Sequence, residues 1–448
     1  MLRLDVDQVV TFGASLGCAA IFLLHLPCPL RSRMPVLDHL QMYRLPWSLT
    51  DNPIAWLEPT QACNLACDGC YRQNVKVHKP LKEVEEELAT FSRLRNVDGY
   101  SIAGGDPLLH PELLQIVARV KALGRKPIIN TNGLALTREL LHELKQAGLI
   151  GLTFHVDSRQ GRPGWRNKTE LEMNELRQEY ADLVAAEGGL ACAFNSTVYE
   201  DTLEQVPDVL RWAGRNIDRV HTVVFILFRA ARQDIFEYYA GETKADMGDI
   251  VYTLEDEKRR TDIQAREVVG VIARDEPSYQ PAAYLAGTVD PTSFKWLIAM
   301  RVGDGERIHG YLGPRLMEAA QVGHHLWSGR YLGYASPWML GAGRAAMLGT
   351  APFDPSARAA AGAWLRSTLA NPRTALRRQH MQSVLIIQPI DLDSDGRDNM
   401  CDGCPDMTVH EGKLVWSCRL EEWRRFGQPL RAVPRANVPP PSCRLSGS

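Results

Sequence analysis

The chain has 448 residues, of which 51 are basic and 53 are acidic, so its formal net charge is −2. Proteins that bind nucleic acid usually carry a basic excess, and this balance therefore argues against nucleic acid as a partner. Apolar residues make up 45% of the chain and charged residues 23%, as in ordinary folded proteins. The length fits two or three domains, or one large barrel with additions.

The N-terminal part, residues 1–49, contains a nearly continuous apolar run at residues 9–26. Its length is borderline for a membrane span, because about 20 residues are needed to cross a bilayer. Arginines follow the run, and the positive-inside tendency then keeps the rest of the chain on the cytoplasmic side. We therefore predict a cytoplasmic protein, attached to the cytoplasmic face of the membrane if residues 9–26 associate with it. A buried or surface-docked helix is the alternative.

Residues 50–230 alternate between strand-like and helix-like patterns. Apolar residues such as Leu81, Val84 and Leu88 recur every three or four positions, which is typical of a helix with one buried face. The alternation predicts an α/β fold, with a parallel sheet curved into a partial (β/α)6 TIM-like barrel. The six candidate strands are residues 54–60, 100–106, 127–133, 151–158, 191–198 and 221–228.

Polar segments follow these strands. Functional residues of such sheets lie on the loops at the C-terminal strand ends. A cysteine-rich loop follows the first candidate strand, and polar residues at 104–107, 130–133 and 155–160 follow the next three. Asn195 lies near the end of the fifth. We therefore expect these segments to converge on one face of the sheet.

The cysteine-rich loop contains Cys63, Cys67 and Cys70. Three closely spaced thiolates can hold three irons of a four-iron, four-sulfur cluster and leave the fourth iron open to a small molecule. A zinc knuckle or three structural thiols is the alternative, although structural zinc normally takes four nitrogen or sulfur ligands. Clustered thiols in a long chain favour metal over disulfides and a reducing compartment.

The pattern Cys63-x3-Cys67-x2-Cys70 on a loop after the first strand resembles the signature of the radical S-adenosylmethionine (radical SAM) superfamily. The resemblance covers residues 50–230 well and the rest poorly. It implies an enzyme with a [4Fe–4S] cluster whose open iron binds S-adenosyl-L-methionine. Reductive cleavage then yields a 5′-deoxyadenosyl radical that abstracts a hydrogen atom from the substrate. It also implies a reducing partner such as flavodoxin or ferredoxin.

The segment Gly104, Gly105, Asp106 and Pro107 resembles the Gly-Gly-Glu-Pro segment of this family, with Asp106 in place of glutamate. In the family its backbone contacts the methionine amino group. Taken alone, such a turn is weak evidence, because turns commonly use these residues. Its position after the second strand predicts a cofactor-binding role.

The ends of the fourth and fifth strands carry further cofactor-binding candidates, His155, Asp157, Ser158 and Asn195. The family places a polar group near this point for the ribose or the carboxylate of the cofactor. Each of these residues fits a helix cap or a turn equally well. Arg159 and Arg162 are candidate partners of the methionine carboxylate, with a solvated loop arginine as the alternative.

One position departs from the family pattern. An aromatic residue usually precedes the third cysteine and lies near the adenine, but Gly69 stands there in this chain. Tyr71, on the other side of Cys70, is therefore the candidate adenine contact.

A second cysteine group, Cys401-x2-Cys404-x13-Cys418, again offers three thiolates. The long gap fits a hairpin with its turn at residues 411–412. The group resembles the C-terminal auxiliary-cluster domains of SPASM and twitch type. It predicts a second [4Fe–4S] cluster, with a zinc site or buried thiols as alternatives. The fourth ligand is open between Cys443, a remote group and the substrate.

The remaining boundaries follow from composition. We predict a mainly helical insertion or substrate region at 231–380, a small auxiliary iron–sulfur domain at 381–430 and a disordered tail at 431–448. The substrate is a small molecule or a lipid. The apolar segments 9–26 and 308–349 favour a lipid or isoprenoid, whereas analogy to other auxiliary-cluster enzymes favours a peptide or a sugar-type metabolite.

Other classes of function are kept open by the same patterns. A non-catalytic iron–sulfur electron carrier or scaffold needs neither residues 104–107 nor an open iron. A membrane-anchored structural protein needs only residues 9–26. No catalytic side chain is predicted.

Overall fold

The structure is a computed structural model that describes residues 37–248, 250–254 and 259–436. The described residues form one compact unit. The apolar run at 9–26 and Cys443 lie outside the described residues, so the predictions made for them stay predictions.

The strands and helices of this unit are given in chain order. The strands are β1 (Tyr43–Arg44), β2 (Ile54–Thr60), β3 (Gly99–Gly104), β4 (Lys126–Thr131), β5 (Gly151–His155), β6 (Ala191–Val198), β7 (Thr222–Leu227), β8 (Phe236–Ala240), β9 (Thr243–Lys244), β10 (Ala283–Ala286), β11 (Phe294–Gly303), β12 (Ile308–Leu312), β13 (His380–Ile387), β14 (Asp391–Leu392), β15 (Asp398–Asn399), β16 (Met407–His410), β17 (Lys413–Trp416) and β18 (Arg431–Pro434). The α-helices are α1 (Leu81–Leu94), α2 (Leu113–Ala122), α3 (Arg138–Gln146), α4 (Asn174–Glu187), α5 (Val206–Arg215), α6 (Ala265–Asp275), α7 (Pro314–Ser328), α8 (Pro337–Leu340), α9 (Gly343–Thr350), α10 (Pro355–Ala370) and α11 (Leu420–Phe426).

The central sheet is built on β2 to β7, which lie side by side in sequence order and are all parallel. Helices α1 to α5 connect them. Strand β13 adds to β7 in parallel, and β11, β10 and β1 continue the sheet beyond it. The first and last strands of this order do not pair with each other in the described part of the chain, so the sheet does not close into a complete barrel. The predicted partial (β/α)6 barrel is confirmed.

The two faces of these strands differ in polarity. Leu57, Ile102, Ile129, Phe154 and Phe194 are fully buried on the side that carries the helices. Because side chains alternate along a strand, the residues next to them point to the opposite side. We call that side the inner face; it carries Ser101, Asn130, Thr153 and Asn195.

Residues 231–380 differ from the predicted, mainly helical insertion. Helices α6 to α10 are present, but β10, β11 and β12 join the central sheet. Nine of the ten residues of β11 are buried, including Lys295 and Arg301, so polar and apolar residues do not alternate along it. A strand buried on both faces cannot be told from a buried helix by its periodicity.

The predicted C-terminal boundaries are also wrong in two places. Strand β13, assigned to the auxiliary domain, lies inside the central sheet between β7 and β11. The predicted tail begins with β18, which pairs with β8 and buries Ala432 beside Leu430. Pairing and burial there outweigh a polar, proline-rich composition. Residues 437–448 lie outside the described residues.

The predicted hairpin in the second cysteine group is confirmed. Strands β16 and β17 are antiparallel and are joined at Glu411 and Gly412. Both turn residues have positive φ, 48° and 76°, as a two-residue hairpin turn requires.

Candidate functional site

Cys63, Cys67 and Cys70 lie on the loop between β2 and α1. The Asn74 side chain holds the two sides of this loop together. Asn74 accepts a hydrogen bond from the Cys63 N–H through Oδ1 (3.0 Å) and donates from Nδ2 to the Cys63 carbonyl (3.0 Å). The Cys70 N–H donates to the Cys67 carbonyl (3.2 Å). Cys63 and Cys67 are half-buried and Cys70 is exposed. The loop therefore presents three free thiols at its surface.

Each thiol of this loop affects the pKa of its neighbours. Burial raises the pKa of Cys67, and the charges of Asp157, Cys70 and Cys63 raise it further. Burial also raises the pKa of Cys63, whose sulfur lies 3.7 Å from the Asn132 amide nitrogen. Three clustered thiolates repel one another, and bound iron relieves that repulsion because its positive charge compensates theirs. Metal uptake therefore displaces the thiol protons.

The donor set fits an iron–sulfur cluster. Among the described residues, no three or more His, Cys, Asp or Glu side chains are placed to hold a single metal ion. Each thiolate of a [4Fe–4S] cluster binds a different iron. A cluster with one open iron therefore needs three separate thiolates, which this loop provides.

Gly104 and Gly105 bring the end of β3 against the backbone that leads into the cysteine loop. The Gly105 N–H donates to the Thr60 carbonyl (2.8 Å). A Cβ atom on Gly104 would lie 2.3 Å from the Thr60 carbonyl oxygen, and one on Gly105 would lie 2.2 Å from that of Ala62. Gly104 also has a φ of 105°. These contacts alone account for both glycines.

The Asp106 carboxylate is engaged within the protein. It is fully buried and accepts hydrogen bonds from the Thr131 hydroxyl (2.8 Å), the Asn132 N–H (2.9 Å) and the Leu108 N–H (3.0 Å). The Asn132 amide in turn donates to Asn64 on the cysteine loop (2.7 Å). Asp106 therefore joins the ends of β3 and β4 to that loop.

His155 and Asp157 form a hydrogen-bonded pair after β5. His155 Nε2 lies 3.1 Å from Asp157 Oδ2 and 3.0 Å from the Thr197 hydroxyl. Burial opposes ionisation of Asp157, but the bond and charge of His155 hold its pKa below the ordinary value. Asp157 also accepts from the Arg159 N–H (2.9 Å), in the manner of a turn residue. The Ser158 N–H donates to Glu170 (2.7 Å).

Asn195 differs from these residues. It lies beside His155 in the parallel register of β5 and β6, on the inner face. Its side-chain oxygen is buried and has no hydrogen-bond partner among the described residues. A buried acceptor without a donor is costly, and it marks a place where a ligand N–H or O–H fits.

The two arginines after β5 have different surroundings. Arg162 is buried and donates from Nη2 to the Asn132 carbonyl (2.8 Å), to Gln160 Oε1 (3.0 Å) and to the His155 carbonyl (3.2 Å). Arg159 forms an ion pair with Asp201 at the surface. Arg162 therefore fastens strand ends together.

Two aromatic residues that the sequence analysis missed pack against the cysteine loop. Tyr199 and Phe228 are buried, and their ring centroids lie 4.9 Å apart. A Cβ atom on Gly69 would lie 2.5 Å from the Tyr199 hydroxyl and 3.3 Å from the Phe228 ring. This pair fills the space beside Gly69, and only the fold brings it there from β6 and β7.

A buried polar network, also missed, joins the two cysteine groups. Arg72, two residues after Cys70, donates from Nε to Glu58 Oε2 (2.8 Å) and from Nη2 to the Ser417 carbonyl (2.6 Å). The Ser417 hydroxyl donates to Glu58 Oε1 (2.9 Å). We call Glu58, Arg72 and Ser417 the Arg72 network. It connects β2, the first cysteine loop and the residue before Cys418.

Tyr71 belongs to this junction. The Arg72 guanidinium lies 4.4 Å from the centroid of its ring. This stacking covers one face of the Tyr71 ring. The contact with adenine predicted for Tyr71 stays a prediction.

The second cysteine group is more buried than the first. Cys401 and Cys404 are buried and Cys418 is half-buried. A hydrogen bond with Cys401, together with burial, raises the pKa of Cys404 well above the ordinary thiol value. Burial and then the charge of Cys404 raise the pKa of Cys418. Cys404 thus influences the titration of its neighbours from the loop before β16, and Cys418 follows the end of β17.

This loop is held against the barrel. The Asn52 amide donates to the Gly403 carbonyl (2.9 Å), and Arg95 Nη1 donates to the Pro405 carbonyl (3.3 Å). Asn52 precedes β2 and Arg95 ends α1. The loop of Cys401 and Cys404 is thus attached to the barrel before β2 and at the end of α1.

Residues 57–228 match the profile of the Radical SAM superfamily. They form a radical SAM domain. Members of this superfamily use a [4Fe–4S] cluster and S-adenosylmethionine. The matched residues span β2 to β7, together with the cysteine loop and the polar strand ends described above.

The radical SAM domain also has curated relatives. The chain is 35% identical over 136 residues to molybdenum cofactor biosynthesis protein 1 of Mus musculus, covering 27% of this chain and 21% of that protein. It is 28% identical over 177 residues to the PqqA peptide cyclase of Xanthomonas axonopodis pv. citri, covering 37% and 46%. The chain thus spans between about a fifth and a half of these relatives. Streptococcus suis SuiB bound to S-adenosylmethionine is a similar solved structure, with a TM-score of 0.34, 16% identity and coverage of 47% and 44%.

The glycine before the third cysteine of the radical SAM domain gives a first prediction. Gly69→Ala is expected to destabilise the protein by about 1–3 kcal/mol and to lower its iron content, because the new methyl group meets the Tyr199 hydroxyl. Tyr199→Phe removes that hydroxyl, so the double variant should recover part of both losses. Thermal unfolding and iron analysis after anaerobic reconstitution measure the effect. Equal losses in the single and double variants would contradict the packing described here.

Proposed function

We propose that this chain holds a [4Fe–4S] cluster on Cys63, Cys67 and Cys70 and acts as a radical SAM enzyme. When bound, the cluster supplies the electron that cleaves S-adenosylmethionine and so produces the radical that abstracts hydrogen from the substrate. The observation that carries the proposal is the fastening of the three-thiol loop to the polar ends of β3 and β4, through Gly105, Asp106 and Asn132.

The residues of the chain divide into two kinds of role. The backbone of residues 104–107 and the free oxygen of Asn195 bind S-adenosylmethionine in this proposal, since its ammonium and hydroxyl groups are hydrogen-bond donors. Asp106, Asp157 and Arg162 position the strand ends, since their polar atoms are engaged within the protein. Tyr199 and Phe228 close one side of the loop against water.

We further propose that Cys401, Cys404 and Cys418 hold a second [4Fe–4S] cluster, in a region that resembles the SPASM and twitch domains. The clustering of the three thiols supports this assignment. The Arg72 network, which bonds the residue before Cys418 to the chain two residues after Cys70, supports a role in electron transfer or substrate ligation. A reductant such as flavodoxin or ferredoxin supplies the electrons.

The inner face supports a polar substrate. Thr153 and Asn195 place hydrogen-bonding groups on neighbouring strands, beside Ser101 and Asn130, which are bonded to each other. Such a surface suits a peptide or a sugar-type metabolite, in agreement with the peptide cyclase among the relatives. The lipid or isoprenoid substrate and membrane attachment through residues 9–26 stay predictions.

The test is cleavage of S-adenosylmethionine. Protein purified and reconstituted without oxygen, then reduced with dithionite, is expected to form 5′-deoxyadenosine and methionine, detected by mass spectrometry. Addition of S-adenosylmethionine should also shift the electron paramagnetic resonance spectrum of the reduced cluster, a readout that requires no substrate. An intact cluster with neither product nor shift would favour the electron-carrier alternative.

Asn195 gives a second prediction. Asn195→Leu is expected to weaken binding of S-adenosylmethionine about tenfold, the equivalent of one lost hydrogen bond, without lowering the stability of the protein alone. Asn130→Leu is the matched control, because the Asn130 amide is already bonded to the Ser101 hydroxyl (2.9 Å). That variant should lose stability in the absence of ligand. Calorimetry and thermal unfolding measure both, and equal destabilisation by the two substitutions would refute the role given to Asn195.

A further inference from the structure

Large apolar side chains are exposed in one part of the chain. Half of the exposed large apolar residues within the described ranges fall between residues 322 and 376. Six of them are 72–90% exposed: Leu326, Trp327, Trp338, Phe353, Leu369 and Leu376. We call these six the outer apolar residues. Soluble proteins seldom expose tryptophan to this extent without a partner.

The helices of this part of the chain cover one end of the central sheet, and we call them the layer. Helix α9 contacts both α7 and α10, and the 3-10 helix Pro372–Leu376 contacts α10. Helices α9 and α10 pack on β11 and β12 through buried residues that include Met347, Ala357 and Ala360, whereas α7 contacts β1 and α8 contacts β13. The outer apolar residues of these elements are exposed to solvent. On α10, Leu365 and Leu369 are four residues apart and thus share one side of the helix.

The same region is strongly basic. Residues 313–380 contain eight arginines, no lysine and two carboxylates, a net charge of +6 in a chain of −2. The two carboxylates have local functions: Glu318 pairs with Arg315, and the buried Asp354 caps α10. Within the described residues, six of the arginines have no carboxylate partner: Arg330, Arg344, Arg358, Arg366, Arg373 and Arg378.

We infer that this layer docks on the surface of an anionic lipid bilayer. Exposed tryptophan, phenylalanine and leucine beside arginines that lack carboxylate partners are the combination that lies in a membrane interface, where rings enter the headgroup region and cations meet lipid phosphates. Charge complementarity favours this occupant over a second copy of the chain, because two such surfaces repel each other. None of the described helices is long and apolar enough to span a bilayer, so this contact is peripheral.

The experiment is vesicle flotation of the full chain, purified without oxygen. Binding is expected to vesicles of phosphatidylcholine mixed with phosphatidylglycerol, to be weak with phosphatidylcholine alone and to fall as salt is raised. The variant Trp327→Ser, Phe353→Ser, Leu369→Ser should lower the partition coefficient at least about tenfold. Arg366→Glu combined with Arg373→Glu should do the same. All five positions are exposed, so folding should be preserved.

Two control variants test whether vesicle binding depends on this surface or on another part of the chain. Leu171→Ser combined with Arg138→Glu alters exposed residues on other elements and should bind like the parent. Leu23→Asp combined with Leu24→Asp introduces two charges into the apolar run at residues 9–26. This variant should keep the part of vesicle binding that falls as salt is raised.

Three results would overturn the inference. One is parental binding by the serine or glutamate variants. Another is equal binding to neutral and anionic vesicles. The third is a change of molar mass from dimer to monomer in the serine variant, which would assign the surface to a second copy.

Discussion

Replacing Arg72 with methionine is expected to lower the free energy of unfolding by about 3–5 kcal/mol, because it leaves the buried Glu58 carboxylate without its charged partner. The side chains of Arg72 and Glu58 are 3% and 1% exposed, and Ser417 loses two hydrogen bonds in the same variant. The double variant Arg72→Met, Glu58→Gln removes the stranded charge and should recover part of the loss. Urea denaturation measures all three proteins.

The pair Arg159 and Asp201 is the matched control. Their side chains are 39% and 54% exposed, and Arg159→Met should therefore cost less than about 1 kcal/mol. Equal costs for Arg72→Met and Arg159→Met would contradict the buried network.

The Arg72 variant should also respond to pH in a defined direction. Burial opposes ionisation of Glu58, but the charge and hydrogen bonds of Arg72 hold its pKa below the ordinary value. The stabilisation is therefore present above the pKa of an unfolded glutamate, and it is lost as the pH falls through the lower pKa of the folded state. The difference in stability between parent and Arg72→Met should narrow over that acidic range.

Substitution of each cysteine group is expected to remove half of the iron. The parent should bind about eight irons and the two triple alanine variants about four each, since each cluster holds four. The variant of Cys63, Cys67 and Cys70 should form no 5′-deoxyadenosine. The variant of Cys401, Cys404 and Cys418 should still show the spectral response of the first cluster to S-adenosylmethionine.

Cys192 is the control for both triple variants. It is fully buried on β6, apart from either group, and Cys192→Ala should leave the iron content unchanged. Iron and sulfide analysis measures the content, and circular dichroism shows whether each variant is folded. Zinc in place of iron at 63–70, or full iron content after loss of those three cysteines, would refute the proposed cluster.

Local patterns were sufficient to predict the six barrel strands. Each of β2 to β7 lies within a few residues of its predicted range, because buried strands alternate there with amphipathic helices. Strand β11 could not be predicted in this way, since its burial leaves no periodic signal. The convergence of the polar segments also follows from a rule of parallel sheets, and the bonds from Gly105 and Asn132 to the cysteine loop confirm it.

The contacts that sequence reasoning missed are all between distant residues. Glu58 and Ser417 are unremarkable in the sequence, and only folding shows that Arg72 holds both. Gly69 was recognised as a departure, but nothing nearby indicated that Tyr199 occupies the space beside it. The Asp106 side chain holds the strand ends together through its internal hydrogen bonds, and the cofactor-binding role of the backbone of residues 104–107 stays a prediction.

The location of β13 between β7 and β11 has a consequence for synthesis of the chain. Until residue 387 leaves the ribosome, β7 has an unpaired edge of backbone donors and acceptors, and such edges promote intermolecular pairing. A fragment ending near residue 230 keeps that edge permanently. The barrel segment expressed alone should therefore aggregate, and the nascent chain depends on rapid completion or on a chaperone.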